Sequence, residues 1–364
     1  RALVRNYLKA VNLGRFDLDL VCADITDPDA MLEAVEGCDV VIHCAYGSSG
    51  TPEEQRDATV LGTRNICKAA LSAGVSRLVH LSTLSVYGDQ TGASLDESGE
   101  RQRTGDLYTD TKIDAEAIVV KAQLEDGLPA VVLQPTVVYG PFGGWWTQGQ
   151  IGLLKGGQLV LPSGVDGVCN AVYVDDVADA CIVAAEHPGA IGETFLVSGP
   201  GPVSWGAYYD AFESMLGAGS VVRMPPEEIR RLRSESKEPR TLFGWAFQAL
   251  LGRPDLIQRI ITSWFGRPYK VAVKLTPAFM IDADTKKILL ADPAASESAA
   301  SGDAVNEPPV TVPDEAWLRQ LTSTTRVSTD KIRRVLSFEP RFGLERGMKL
   351  TNSWAKWAGL LDQG

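Results

Sequence analysis

Short apolar runs alternate with helix-like segments along the first third of this chain, up to Pro135. The runs at 40–45 and 130–134 are rich in β-branched residues, and helical patterns at 54–73 and 108–124 lie between the runs. Strands that alternate with helices in this way form a parallel sheet with helices on both faces. The sequence therefore predicts an α/β fold with a doubly wound parallel sheet, in which the run 40–45 is a fully buried strand.

Three stretches of chain directly follow strand-like runs, at 43–46, 83–85 and 136–139. In a doubly wound sheet, ligands bind in the crevice outside the carboxyl ends of the strands. Because the carboxyl ends of parallel strands meet at one edge of the sheet, we expect all three stretches to line a single crevice.

Composition restricts the partners of the chain. Its 364 residues include 35 basic and 46 acidic side chains, so the net charge is −11 at pH 7 and no basic excess is available for nucleic-acid phosphates. None of the six cysteines forms a CxxC pair, which favours buried free thiols in a cytoplasmic protein over a metal site or disulfides. No apolar run approaches the ~20 residues that span a membrane.

A tyrosine and a lysine four residues apart are the first candidate catalytic pair. Tyr108 and Lys112 share one face of a predicted helix, and a nearby ammonium favours the phenolate form of a tyrosine. Tyr108 is therefore a candidate general acid or base, while Thr83 and Ser85 offer hydroxyls to a substrate oxygen. The same spacing is also typical of a surface pair that only supports a helix.

Residues 225–325 have the composition of an insertion. The part at 225–290 is basic and apolar, which suits a lid packed on a substrate site and, less well, an amphipathic helical pair on a membrane surface. The stretch 293–314 is rich in Pro, Ser and Ala, which predicts a flexible loop.

Several short motifs follow one another in a fixed order. They are Asp24-Ile25, His43-Cys44-Ala45, Gly62-Thr63-Arg64-Asn65, the run HLSTLSVYGD at 80–89, Tyr108-x-x-x-Lys112, the run PTVVYGP at 135–141, the run VYVDDVA at 172–178, and Lys331 to Pro340. This succession resembles the extended short-chain dehydrogenase/reductase family, of the NAD(P)-dependent epimerase/dehydratase type. The resemblance covers the chain from Arg1 to about Val197 and resumes near the end.

The chain departs from the family pattern at three points. The Rossmann-type fold of the family begins with a strand and a GxxGxxG turn, neither of which has a counterpart in residues 1–30, so we expect the first strand of the sheet to be missing. Thr59 stands where the helix motif usually has Asn, and Gln134 stands where an Arg usually precedes the Pro.

The resemblance implies two functional regions in the chain. Residues 1–139 and 170–198 would form the dinucleotide-binding domain, and residues 140–169 and 199–364 a smaller C-terminal substrate-binding region. It implies catalysis by Thr83, Tyr108 and Lys112, and substrate contacts from Thr83, Ser85, Tyr139 and Asn170. Cofactor contacts are implied for Arg5, Asp24, Ile25, Cys44, Ala45, Tyr46, Ser82, Tyr108, Lys112, Pro135, Thr136 and Val138.

The implied chemistry is hydride transfer at a hydroxyl-bearing carbon. Arg5 occupies the position where NAD-selective members carry an acidic residue, which favours NADP without excluding NAD. Leu84 and Ser85 replace the Asp-Glu pair of the dehydratases, which disfavours loss of water. The run PTVVYGP at 135–141, called the VYGP segment below, favours a nucleotide-sugar epimerase or oxidoreductase.

The sequence is also compatible with other functions. The main alternative is an NADPH-dependent reductase or dehydrogenase of a hydrophobic alcohol or ketone, of the hydroxysteroid or dihydroflavonol type. A non-catalytic dinucleotide-sensing protein is a third reading, although such a protein has no need of Thr83, Tyr108 and Lys112. Members of the family often form homodimers through the helices that match 54–73 and 108–124.

We expect the 364-residue chain to bind dinucleotide weakly, because residues 1–30 hold no glycine turn that would bring a pyrophosphate to backbone N–H groups. Calorimetric titration with NADPH and NADH measures this. A dissociation constant in the micromolar range would contradict the expectation.

Overall fold

The computed structural model describes residues 1–89, 92–217, 219–235 and 309–361. Its strands are β1 (Ala2–Val4), β2 (Leu20–Cys22), β3 (Val40–His43), β4 (Arg77–Leu81), β5 (Ser94–Leu95), β6 (Ala130–Pro135), β7 (Val137–Tyr139), β8 (Gln158–Pro162), β9 (Ala171–Tyr173), β10 (Thr194–Val197), β11 (Val221–Met224), β12 (Val310–Thr311) and β13 (Arg326–Val327). Its α-helices are α1 (Pro28–Val35), α2 (Pro52–Ala73), α3 (Leu107–Asp126), α4 (Gln150–Gly156), α5 (Val174–Glu186), α6 (Trp205–Leu216), α7 (Pro226–Glu235), α8 (Glu315–Thr322), α9 (Asp330–Leu336) and α10 (Leu344–Trp357).

The main sheet has the strand order β10-β6-β4-β3, and every neighbouring pair in it is parallel. Successive residues of its central strands point to opposite faces, as strand geometry requires. Leu78 and Val132 pack against the α1, α2 and α3 side, while Val79 and Val131 pack against the α5 and α9 side. Helices therefore cover both faces, and the predicted doubly wound α/β fold is confirmed.

Strand β3 is less buried than its composition predicts. Val40 and Val41 are half-buried and Ile42 is 45% exposed, whereas a fully buried strand was expected. The reason is that, among the described residues, β3 pairs with β4 alone and so forms one edge of the four-stranded sheet. Strands β1 and β2 pair with each other in a separate parallel sheet. The strand also ends at His43, so Cys44 and Ala45 lie in the following loop and are exposed.

The rest of the described chain forms a second layer beside the sheet. Strand β8 pairs in parallel with β11 and β12, and the short pair β7–β9 connects this layer to the main sheet. Helix α6 contributes a row of buried rings to one core cluster, namely Trp205, Tyr208, Tyr209 and Phe212.

The insertion predicted at 225–325 falls mostly outside the described residues. Helix α7 begins it, and β12 and α8 lie within its end. Residues 236–290, on which the lid and membrane interpretations mostly rest, lie outside the described residues. Most of the loop predicted at 293–314 does so too. Within the residues that are described, no helix is both long and apolar enough to cross a membrane.

Asp176 joins α5 to the segment before α10. Its side chain is fully buried, and its two carboxylate oxygens accept the backbone N–H groups of Arg341 and Phe342 at 2.7 and 3.0 Å. We expect Asp176→Ala to lower the free energy of unfolding by about 2–4 kcal/mol, because the buried N–H of Phe342 and the partly buried N–H of Arg341 both lose their acceptor. Urea denaturation measures this. Asp175→Ala is the matched control, since Asp175 is exposed and should change stability little.

Candidate active site

Helix α3 begins at Leu107, one residue before Tyr108. Gly105 adopts a φ of +80°, and the carboxylate of Asp106 then accepts the backbone N–H of Thr109 at 2.9 Å, which caps the helix. Tyr108 consequently lies in the first turn and Lys112 one turn further on. Their exposures differ greatly, since Tyr108 is 39% exposed and Lys112 only 3%.

The ammonium of Lys112 is turned into the protein. Its Nζ donates to the backbone oxygen of Leu81, the last residue of β4. Burial lowers the pKa of Lys112 to about 8, although Glu116 and Cys44 act in the opposite direction. The pair is therefore not a surface pair, which was the alternative reading of its spacing.

The pKa of Tyr108 differs from the expectation. The spacing predicted a pKa lowered by Lys112, but burial raises the pKa of the Tyr108 phenol, and the neighbouring Thr83 hydroxyl only partly opposes this. The physical reason is that the Lys112 ammonium is directed at the Leu81 carbonyl. The ring of Tyr46, from the loop after β3, meets the Tyr108 ring edge-on with centroids 5.5 Å apart.

Thr83 and Ser85 lie where β4 ends. The backbone N–H of Ser85 donates to Thr83 Oγ1 at 3.2 Å, which caps the 3-10 turn Leu84–Tyr87, and the two hydroxyls are also 3.2 Å apart. Thr83 is 8% exposed. The strand-end loop thus brings the two predicted hydroxyls together and places Thr83 close enough to Tyr108 to influence its pKa.

Asp24 and Ile25, two of the predicted cofactor residues, lie in the turn after β2, next to α2. Asp24 Oδ1 accepts both the N–H and the hydroxyl of Thr26, which lowers the pKa of its carboxyl. Asn65 Nδ2 donates to the backbone oxygens of Ile25 and Thr26 and so holds the turn after β2. A Cβ at Gly62 would lie 2.8 Å from the Ile25 side chain, which explains why the helix motif needs glycine there.

The loop after β3 closes over this end of the sheet. Thr59, at the position of the expected Asn, accepts the backbone N–H of Gly47 at 2.9 Å and so ties the loop to α2. Arg5 donates to Ser49 Oγ at 3.3 Å across the same loop. These contacts tie the loop that carries Cys44, Ala45 and Tyr46 to α2 and to Arg5, while Asn65 of α2 holds the turn with Asp24 and Ile25.

Residues of the VYGP segment are mostly buried. Thr136 donates to Val197 and Ser198, Pro135 is buried and Val138 is half-buried. The hydroxyl of Tyr139 is buried and has no hydrogen-bond partner among the described residues. Asn170, predicted to contact substrate, uses its amide for the Thr325 oxygen and the Val327 N–H, so it fixes β13 in place.

Sequence reasoning missed a buried polar network below this site. Glu116 accepts hydrogen bonds from Ser82, Gln134 and Arg101, and Gln134 in turn accepts from Tyr87. Ser82, predicted to contact cofactor, therefore uses its hydroxyl inside the protein. Glu116 lies four residues after Lys112, so the same spacing argument could have found it. Arg101 lies in an irregular loop, and no pattern in the sequence points to it.

The buried ammonium makes the stability of the protein depend on pH. The pKa of Lys112 is about 8 in the folded state and 10.5 unperturbed, so the unfolded chain binds more protons between these values. The free energy of unfolding therefore rises with pH in this window, by at most about 3 kcal/mol. We expect Lys112→Met to abolish this rise and Lys121→Met, on the exposed side of α3, to retain it. Urea denaturation of the three proteins from pH 7 to about 10.5 measures it.

Comparison with known proteins gives relatives in one family. The family model described as the NAD-dependent epimerase/dehydratase family matches residues 3–198. A 3β-hydroxysteroid dehydrogenase/Δ5→4-isomerase of Mycobacterium tuberculosis is 30% identical over 221 residues, which are 55% of this chain and 59% of that protein. A 2-alkyl-3-oxoalkanoate reductase of Stenotrophomonas maltophilia is 30% identical over 208 residues, which are 54% of this chain and 63% of that protein. The match thus spans about three fifths of these relatives.

Solved structures of low sequence identity share the fold. An epimerase from Methanothermobacter thermautotrophicus has a TM-score of 0.62 at 15% identity, with 95% of this chain and 81% of that chain covered. A UDP-glucuronic acid 4-epimerase from Bacillus cereus, in complex with UDP-glucuronic acid and NAD, has a TM-score of 0.61 at 16% identity, with 97% and 87% covered. Together with the match over more than half of its length, this shows that the chain belongs to the NAD-dependent epimerase/dehydratase family of enzymes.

Proposed function

We propose that the chain is an NAD(P)-dependent oxidoreductase that reduces the carbonyl of an apolar ketone, or oxidises the corresponding alcohol. One arrangement carries the proposal: a partly exposed Tyr108 stands above a buried Lys112 and beside the buried hydroxyl of Thr83. These are the groups that hydride transfer at an alcohol carbon needs, namely a proton donor and a second hydroxyl that orients the oxygen.

Tyr108 is the proposed proton donor. A phenol whose pKa is raised by burial stays protonated at neutral pH, which is the state that can give a proton to a carbonyl oxygen. Thr83 would hydrogen-bond the same oxygen, with Ser85 next to it. Lys112 would support the nicotinamide ribose, and the bound nicotinamide would supply or take up the hydride.

The cofactor is proposed to bind along the loops after β2 and β3, in the domain formed by residues 1–139 and 170–198. Arg5, held at Ser49, would face the adenosine ribose, and a guanidinium there suits a 2′-phosphate. Asp24 and Ile25 would border the adenine, and Cys44, Ala45 and Tyr46 would pass beneath the pyrophosphate and nicotinamide. The remaining contacts are proposed for Ser82, Pro135, Thr136 and Val138. NADP is therefore the preferred cofactor of the proposal.

One part of the proposed substrate region, residues 140–170, supports an apolar substrate. Residues 140–170 contain one basic residue, Lys155, and its ammonium donates to the backbone oxygen of Leu360. A nucleotide sugar brings a diphosphate, which usually requires arginine or lysine contacts. The rings of Phe142 and Trp145 in the same stretch are 45% and 44% exposed, as a contact surface for apolar groups would be.

The curated relatives support the same order of candidates, because they include a hydroxysteroid dehydrogenase and two kinds of ketoreductase. A nucleotide sugar, which the sequence analysis placed first, becomes the second candidate on the similarity of the VYGP segment. A non-catalytic sensor stays the third, with intact Thr83, Tyr108 and Lys112 against it.

Steady-state assays with saturating NADPH or NADH test the substrate class. A 3-ketosteroid and a 2-alkyl-3-oxoalkanoate represent the apolar ketones, and UDP-glucose and UDP-glucuronic acid represent nucleotide sugars. We expect consumption of NADPH with an apolar ketone. Turnover of only the nucleotide sugars would show that the second candidate is correct.

Tyr108→Phe tests the proton donor on whichever substrate is turned over. Loss of the phenol should lower kcat by at least about 100-fold, since positioned acid catalysis contributes at least that factor. Tyr7→Phe is the control, because Tyr7 is exposed and lies outside the proposed site. A Tyr108→Phe enzyme that keeps more than about a tenth of the wild-type rate would remove Tyr108 from the mechanism.

A further inference from the structure

Tyr108, Lys112 and Glu116 form a row at four-residue intervals along one face of α3. The row runs from the partly exposed phenol to a carboxylate that is 4% exposed. The charged end of Glu116 thus lies inside the protein, one helical turn beyond the ammonium of Lys112. A buried carboxylate is costly unless it is fully hydrogen-bonded and paired.

The oxygens of Glu116 hold the ends of two strands. Oε2 accepts the hydroxyl of Ser82 at 2.7 Å and the amide Nε2 of Gln134 at 2.9 Å. Ser82 directly precedes Thr83, and Gln134 directly precedes Pro135. One carboxylate therefore fixes the ends of β4 and β6, from which the hydroxyl of Thr83 and the VYGP segment extend, relative to the helix that carries Tyr108.

Arg101 supplies the positive partner. Its guanidinium contacts Glu116 Oε1 through Nε and NH2, both at 2.8 Å, and donates to the backbone oxygens of Glu97 and Gly99. The same guanidinium lies 4.9 Å from the ring centroid of Tyr87. The Tyr87 hydroxyl donates to Gln134 Oε1 at 2.7 Å, which closes a ring of contacts around Glu116.

The other titratable groups around Lys112 are neutral at physiological pH. From β3 and β4, His43 and His80 are fully buried in a desolvated pair that also faces Lys112, and burial lowers the pKa of both. From the loop after β3, Cys44 is exposed as a residue, but desolvation at its thiol raises the pKa of that group. From α3 itself, Tyr108 keeps its proton. Among these described neighbours, the carboxylate of Glu116 provides the charge that Lys112 faces, and Arg101 is the partner of that carboxylate.

We propose that Glu116 is a positioning residue for the reaction. It aligns Thr83 with Tyr108 and favours the protonated form of Lys112, and Arg101 partly neutralises the Glu116 carboxylate. The role assigned to Lys112 rests on the proposed function. The electrostatic part of the proposal can be tested without turnover, so an inactive protein and a failed inference give different results.

The test is an NMR titration of the Lys112 side chain in protein labelled with 13C-lysine, with its signal assigned by its absence from Lys112→Met. Glu116→Gln keeps the size and an acceptor for Ser82 but removes the negative charge, so the pKa of Lys112 should fall by about one unit. Arg101→Gln leaves the carboxylate without its cation, so the pKa of Lys112 should rise.

Two controls make the outcome decisive. Arg103→Gln removes an exposed arginine of the same loop, which pairs with Asp114, and should leave the titration unchanged. Arg101→Lys keeps the positive charge and should restore most of the wild-type titration. Opposite shifts for Glu116→Gln and Arg101→Gln support the proposal, because a purely structural role would not reverse the sign. Absent shifts, or shifts of equal sign, overturn it.

If Glu116→Gln does not fold, as judged by circular dichroism, the comparison of Arg101→Gln with Arg101→Lys carries the test by itself. A pKa of Lys112 that rises in Arg101→Gln and returns toward the wild-type value in Arg101→Lys supports the proposal. Equal Lys112 titrations in the two variants overturn it. With an active substrate, the alkaline limb of the kcat profile should move with the Lys112 titration, while KM changes little.

Discussion

The candidate site depends on one buried contact, in which the Lys112 ammonium donates to the backbone oxygen at the end of β4. This contact holds α3 at the carboxyl edge of the sheet, so the first turn of the helix, with Tyr108, stands beside Thr83. It also explains the unequal protonation behaviour of the pair. Lys112 is desolvated and loses its proton more easily, whereas Tyr108, which the ammonium does not stabilise, keeps its proton.

Periodicity and turn chemistry were sufficient to predict most of the sheet. The helical patterns at 54–73 and 108–124 agree with α2 and α3 to within two residues, because helix bounds depend on a few neighbouring residues. The burial of β3 could not be predicted in the same way. Apolar composition does not reveal how many partner strands a segment has, and within the described residues β3 has one.

The same limit applies to the site. Residues tied to local spacing, such as Tyr108 and Lys112, were identifiable because helical geometry fixes which of them share a face. The hydrogen bonds of Ser82 and Asn170 could not be predicted, because each depends on a partner far away in the chain. That partner is Glu116 for Ser82 and the β13 segment for Asn170. Whether the pKa of Tyr108 is raised or lowered depends on where the Lys112 ammonium points, which no sequence pattern specifies.

The exposed rings of Phe142 and Trp145 also affect how the protein behaves at high concentration. Exposed apolar side chains offer a contact surface to other chains in solution. At pH 7 the net charge of −11 keeps copies apart by mutual repulsion. That repulsion vanishes near the isoelectric point of about 4.9, while the exposed rings remain. Colloidal stability is therefore governed by the acidic charge of the chain, and mildly acidic buffers favour association.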